Sequence, residues 1–173
     1  MILSGRQILT RHIISNLLQQ THQQQPCGID LTLRQISAWG SPATIDFDNT
    51  RRLASKTSII PFNLNNSDEG IKLEPGTYLI DFNETVSMPT NCMGTVLPRS
   101  SLWRSGVSVT AGVVDAGYEG AMGAMMQVLN PCGVVLHRNA RVAQMVVEEM
   151  AETVEGYNGV YQGSKASVGR DGV

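Results

Sequence analysis

The chain has 173 residues, of which 42% are apolar and 16% charged, and its formal net charge is −2. That length supports one domain with a real core, and the composition excludes a disordered chain. The near-neutral balance excludes a general nucleic-acid binder, which needs a basic face, so any polyanion bound here is small and held locally.

Three cysteines, Cys27, Cys92 and Cys132, are widely spaced with no CxxC pair, and His12, His22 and His137 fall at no zinc-ligand spacing. Reduced thiols and a cytoplasmic location are the expectation. The opening "MILSGRQILTRHIISNLL" has polar residues throughout, which predicts neither a signal peptide nor a membrane span. Ser4 followed by Gln7 is a capping-box pattern, and Ile8, Ile13, Leu17 and Leu18 recur at near-helical spacing, predicting a helix from about Ser4 to Leu18. The polar run "QQTHQQQ" then reads as a flexible connector.

After it the texture changes to short runs rich in Val, Ile and Thr, among them "GIDLTLRQISAW", "GTYLIDFNETVSM", "GVSVTAGVVDAG", "GAMMQVLNP" and "RVAQMVVEEM". Gly, Pro, Asn or Asp separates them at regular intervals, which predicts an all-β jelly roll or β-sandwich barrel behind a short N-terminal helix. Residues 40 to 72 read as a looped excursion with one or two strands. Residues 1–155 form the predicted β domain. The glycine-rich end, 156–173, reads as a flexible C-terminal lid.

The chemistry concentrates in "VLPRSSLWRSGVSVTAGVVDAGYEG", residues 96 to 120. Arg99 offers a planar donor fork, and Ser100 and Ser101 add hydroxyl and backbone donors, a set suited to phosphate oxygens. The same residues also suit a plain solvated turn. Arg104 adds a second cation in a chain with few charges. Asp115 either caps the turn at Gly117 or supplies a carboxylate that orients a water or a sugar hydroxyl. Tyr118 is either core filler or a ring on which a sugar packs.

The order "QPCGIDLTL", "RSSLWRSG", "AGVVDAGYEG", "ARVAQM" resembles the four motifs of the superfamily of trimeric dUTP pyrophosphatases (dUTPases) and dCTP deaminases. "MILSGRQIL" and "LEPGTYLIDFNETVSMP" are similar to deaminase-type sequence as well, so the resemblance spans nearly the whole chain. It implies a homotrimer acting on dUTP, with Arg99, Ser100 and Gln144 on the phosphates. Asp115 would bind the 3′-hydroxyl and position the attacking water, and Tyr118 would pack under the sugar. Val109, Thr110, Ala111, Gly112 and Val113 would present backbone groups to uracil. Mg²⁺ would be held chiefly by the triphosphate, with Asp30 near it through water. From the tail, Tyr161 and Gln162 would contact the nucleotide, with Lys165 reaching the phosphates.

The superfamily performs two reactions. Its deaminases shuttle protons with a Glu that typically stands three residues before an Asn, and counting back from Asn130 gives Gln127. A glutamine cannot accept and return a proton at neutral pH, which favours dUTP hydrolysis over dCTP deamination. Arg104 matches a deaminase-type arginine and keeps deamination, or both activities together, as the alternative. An inactive nucleotide-binding regulator is the reading from a different class. No membrane and no nucleic-acid polymer enters the expectation.

Overall fold

The computed structural model describes residues 1–63 and 69–166. Helix α1, Gly5–Thr10, starts as expected: Ser4 Oγ accepts from the Gln7 N–H and the Gln7 side chain accepts from the Ser4 N–H. It ends well before Leu18. His12 and Asn16 take left-handed backbone angles (φ 55° and 62°), and between them β1, Ile14–Ser15, pairs with a strand near Val86. Of the apolar residues read as a longer helical face, Ile8 and Ile13 are buried, Leu17 is partly buried and Leu18 is exposed.

The run expected to be a connector is also structured. It forms α2, Gln20–Gln23, and β2, Gln24–Gln25, with Gln23 buried. Then follow β3 (Gly28–Trp39), β4 (Thr57–Ile60), β5 (Ile71–Leu73), β6 (Gly76–Ser87), β7 (Cys92–Pro98) and α3 (Ser100–Arg104). The remainder is β8 (Val107–Thr110), β9 (Glu119–Val128), β10 (Val134–Leu136) and β11 (Arg141–Glu149). The excursion thus carries two strands, β4 and β5, while "NLNNS" around residues 64–68 lies outside the described residues.

The main sheet runs β7-β11-β3-β6-β9-β8, with β1 on β6 and with β2 and β4 on β3, and β10 pairs β5 apart from it. Every pairing is antiparallel. The two ends of that path meet where Gly94 on β7 and Val114 beyond β8 exchange N–H···O bonds of 2.9 Å each way. A Cβ at Gly94 would come within 2.3 Å of the Met145 methyl and 3.3 Å of Val114 Cβ, so a side chain there would oblige these neighbours to shift. The result is a nearly closed all-β barrel with a jelly-roll character.

Ile29, Leu31, Leu33, Ile80, Phe82, Met126, Met145 and Val147 fill its interior. Their alternation along β6, β9 and β11 is the period-two pattern of strands with one buried face. Among the described residues no helix is long and apolar enough to cross a membrane, and all three cysteines are free thiols.

Candidate active site

Two groups of functional side chains form, on different parts of the barrel. The first is an anion cluster where β3, β7 and β11 lie side by side. Gln144 stands opposite Asp30 on one flank and Leu97 on the other, which brings the first, second and fourth motifs into one register. Asp30 is 2% exposed, and its Oδ2 receives Arg99 Nε at 3.0 Å and Arg141 Nη1 at 3.2 Å. Arg99 also donates to the Arg141 carbonyl at 3.3 Å, and Arg141 to the His22 carbonyl at 2.6 Å. Burial pushes the Asp30 carboxyl above its ordinary value, opposed by the two guanidiniums. Ser100 and Ser101 open α3 beside Arg99 and are exposed.

Inside the sheet the Asp30 carboxylate is engaged through Oδ2 by two arginines, Arg99 and Arg141. Among the described residues no three His, Cys, Asp or Glu side chains converge to hold an ion.

The second group lines a cavity of about 430 Å³ between the loop 110–118, β9 and the tail. Thr110, Ala111, Gly112, Val113, Asp115 and Tyr118 all contribute to its wall. Tyr118 is fixed by a 2.7 Å bond from its hydroxyl to the Ala121 carbonyl, and the edge of Tyr157 meets its ring at a centroid distance of 5.6 Å. Burial, then the neighbouring Tyr157, raises the Tyr118 phenol above its usual value, so it stays a protonated donor. Asp115 is exposed at the turn, and of the described residues lining the cavity it is the sole carboxylate.

Several predicted residues fall elsewhere. Val109 is 5% exposed, packs in the core opposite Met126 and does not reach the cavity. Gln127 pairs with Ser108 and Thr77 along β9 and is not part of the wall, whereas Met125, opposite Thr110, is. The pairing of β8 with β9 runs without a register shift, which sets Met125 beside Thr110 and Gln127 beside Ser108. Arg104 is also absent from the cavity. Its guanidinium lies 4.3 Å over the exposed Trp103 ring and donates to the Ser100 carbonyl.

Residues 156–166 of the tail lie across this group. Tyr157 N–H bonds to Ala116 O, Gly163 N–H to Glu119 O and Ala121 N–H to Ser164 O, at 2.7–2.8 Å. Gln162 clamps the Gly117 turn. Its amide nitrogen donates to Gly117 O and its oxygen accepts the Glu119 N–H, both at 3.0 Å. Gly117 sits at φ 77°, and a side chain there would meet Gly156 at 2.5 Å. Tyr161 lines the cavity, while Lys165 has an exposed side chain and does not. Residues 167–173 are outside the described part of the chain.

None of Asp30, Arg99, Ser100, Arg141 and Gln144 lines the cavity that holds Asp115 and Tyr118. Within one chain the Arg99–Asp30–Arg141 cluster and the cavity of Asp115 and Tyr118 thus share no lining residue.

A family model described as dCTP deaminase-like matches residues 2–150. The chain belongs to that family. Its relatives include a protein of Methanosarcina acetivorans named "Probable deoxyuridine 5'-triphosphate nucleotidohydrolase", 38% identical over 154 residues and covering 88% of each chain. Another is the deoxyuridine 5'-triphosphate nucleotidohydrolase of Methanocaldococcus jannaschii, 36% identical over 154 residues, covering 89% of this chain and 95% of that one. Among solved structures, the 2'-deoxycytidine 5'-triphosphate deaminase of Agrobacterium tumefaciens superposes with a TM-score of 0.61 at 19% identity. The match covers 86% of this chain and 48% of the deaminase chain, and it supports the fold assignment alone.

Within this family member, the sequence reading gave no role to Arg141, although it opens the fourth motif. A charged residue entering an otherwise apolar strand was the available signal. Tyr157, whose ring touches Tyr118, could be read as a tail contact but not as a partner of that residue.

Proposed function

We propose that this protein hydrolyses dUTP to dUMP and pyrophosphate by water attack on the α-phosphorus. One observation carries the reading: Asp115 is the sole carboxylate among the described residues lining the cavity. A water held there has a base beside it, while the wall at Gly123–Met125 offers no group to move protons at C4 of a cytosine. The two archaeal relatives named for dUTP hydrolysis, alike over most of this chain, support the same branch.

In this reading the deoxyribose lies on Tyr118 with its 3′-hydroxyl on Asp115, and uracil meets the backbone of Thr110–Val113. The triphosphate reaches Arg99, Ser100 and Gln144 of a neighbouring copy. Asp30 and Arg141 hold the Arg99 fork in place, leaving its remaining N–H groups for phosphate oxygens. Mg²⁺ enters with the nucleotide and offsets phosphate charge. The homotrimer that the family resemblance implies, a closed ring of heterologous contacts, would bring the two groups of residues together across a subunit boundary. Sedimentation that finds a fully active monomer would reject that assembly.

The tail segment 156–173 acts as a lid whose closure keeps out bulk water. The deciding experiment is product analysis with dUTP, dCTP and dTTP in the presence of Mg²⁺, using the native protein and Asp115→Asn. The substitution keeps the shape and removes the base, and is expected to cost on the order of 10²-fold or more in dUTP turnover. Deaminated product from dCTP would overturn the choice of reaction, and near-normal turnover by Asp115→Asn would remove that residue from it.

A further inference from the structure

The excursion between β3 and β4 has no part in the reading above, yet it touches the tail at one defined place. Its strands are pinned by the Thr44–Leu53 bridge, by Gly40 N–H to Lys56 O at 2.8 Å and by Lys56 N–H to Ser41 Oγ at 2.9 Å. At its tip Asp46 Oδ2 accepts the Arg51 N–H at 2.7 Å, and Asp48 Oδ1 accepts both the N–H and the hydroxyl of Thr50. Asn49 takes the left-handed turn, with φ 63°. The next residue after this braced tip, Arg52, is thereby presented from a firm support.

The Arg52 guanidinium lies 4.9 Å over the Tyr161 ring and donates to the Tyr161 hydroxyl. Tyr161 forms part of the wall of the 430 Å³ cavity and also of a second cavity of about 240 Å³, which Arg52 and Trp39 line from the far side. Tyr161, with Leu79, thus borders both spaces, and Arg52 meets the ring from the second. Beyond it, Arg34 donates to the Lys165 carbonyl at 3.3 and 3.4 Å while its guanidinium lies 3.4 Å from the buried Asp81. Among the described residues, Tyr157, Gly163 and Ser164 are held through their backbone and Gln162 through its amide. Arg52 acts on a side chain that lines the cavity itself.

We propose that Arg52 is a positioning residue: it latches Tyr161 so that the tail forms a fixed wall of the cavity that holds Asp115. The kinetic consequence rests on the dUTP reading, but the latch itself does not. A stacked cation plus a hydrogen bond is expected to change the closed population about tenfold.

The test compares full-length native protein with Arg52→Ala, Arg52→Lys and Tyr161→Phe by amide hydrogen exchange and by dUTP kinetics. In Arg52→Ala the amides of Tyr157, Gly163 and Ala121 should exchange about tenfold faster while those of β3 and β11 stay protected, and the KM for dUTP should rise by a similar factor. Arg52→Lys, which keeps a cation over the ring, should recover part of both effects, and Tyr161→Phe should fall between. Unchanged exchange at those three amides in Arg52→Ala would overturn the latch. Faster exchange throughout the barrel would overturn it too, since that marks a structural role. Opened tail amides with an unmoved KM would remove the positioning role. Should the native protein leave dUTP untouched, the functional reading falls, and the exchange comparison still decides the latch.

Discussion

Two segments of this molecule look alike in sequence and differ in what they brace. The glutamine-rich stretch at residues 19–25 and the glycine-rich stretch at 156–166 are both polar, and each is pinned by one glutamine. Gln23 is 1% exposed, and its amide nitrogen donates to Glu84 Oε1 at 2.7 Å and to the Asp30 carbonyl at 3.0 Å. Thr32 completes the Glu84 carboxylate through its N–H at 2.8 Å and its hydroxyl at 2.6 Å. Gln162 performs the corresponding task at the Gly117 turn from a half-buried position. One segment is part of the interior beneath the anion cluster; the other is a strap over the cavity. Polarity in a run of residues therefore says little about order when a side-chain amide can satisfy a buried group.

The sharpest way to break the comparison is to remove the strap. Deleting residues 156–173 takes away Tyr157, Tyr161 and the Gln162 clamp but no part of the barrel core. Turnover of dUTP is expected to fall roughly 10²-fold, the scale of a misplaced reacting group, with little change in melting temperature. Steady-state hydrolysis and thermal melts on the truncated and full-length proteins check it. Retained activity would make the strap a mere end, and loss of folding would make it part of the interior like its counterpart.

Gln23→Ala should do the opposite. It leaves a fully buried carboxylate one donor short, a loss of about 1.5–3 kcal/mol for a hydrogen bond to a charged group. Melting should drop by roughly 5–10 °C. Gln23→Glu, which sets a second carboxylate against Glu84, should lower it further. An unchanged melt in Gln23→Ala would return this segment to the status of a connector.

The strands and the motif order were legible in the sequence because they are local: β3 and β6 match their alternating runs, and the motifs need only their order along the chain. What could not be read depends on partners far apart. The bond from Gln23 reaches a residue 61 positions away, and nothing in "QQTHQQQ" distinguishes its third-from-last glutamine from the others. Met125 and Gln127 lie on the same side of β9, and the pairing of β8 with β9 sets Met125 beside Thr110 at the cavity and Gln127 one step beyond it, a placement no count back from Asn130 can supply. The helix expected to reach Leu18 fails for a related reason, since pairing with β6 outweighs a near-helical spacing of apolar residues.

Acid should separate the two halves most gently, because only one is held by a carboxylate. Burial raises the Asp30 carboxyl above its ordinary value of 3.8, with Arg99 and Arg141 opposing the shift. A raised value means the folded state holds this proton more tightly than the unfolded chain. Asp30 therefore favours the fold below the unfolded value, and that contribution is lost as pH rises through the folded one. Its effect on the site has the opposite sign, since a neutral Asp30 no longer draws the two guanidiniums together. In the interval between the ordinary and the raised value, dUTP turnover should fall as pH drops while Asp30 gives no cause for the melting temperature to fall. The strap's contacts to Ala116, Gly117 and Glu119 are amide and carbonyl bonds that do not titrate there. Parallel pH profiles of KM and of melting check this, with Asp30→Asn as control. That variant should show a raised KM at neutral pH and lose the acid limb that belongs to Asp30. An acid limb in Asp30→Asn matching that of the native protein would place the controlling proton on another group.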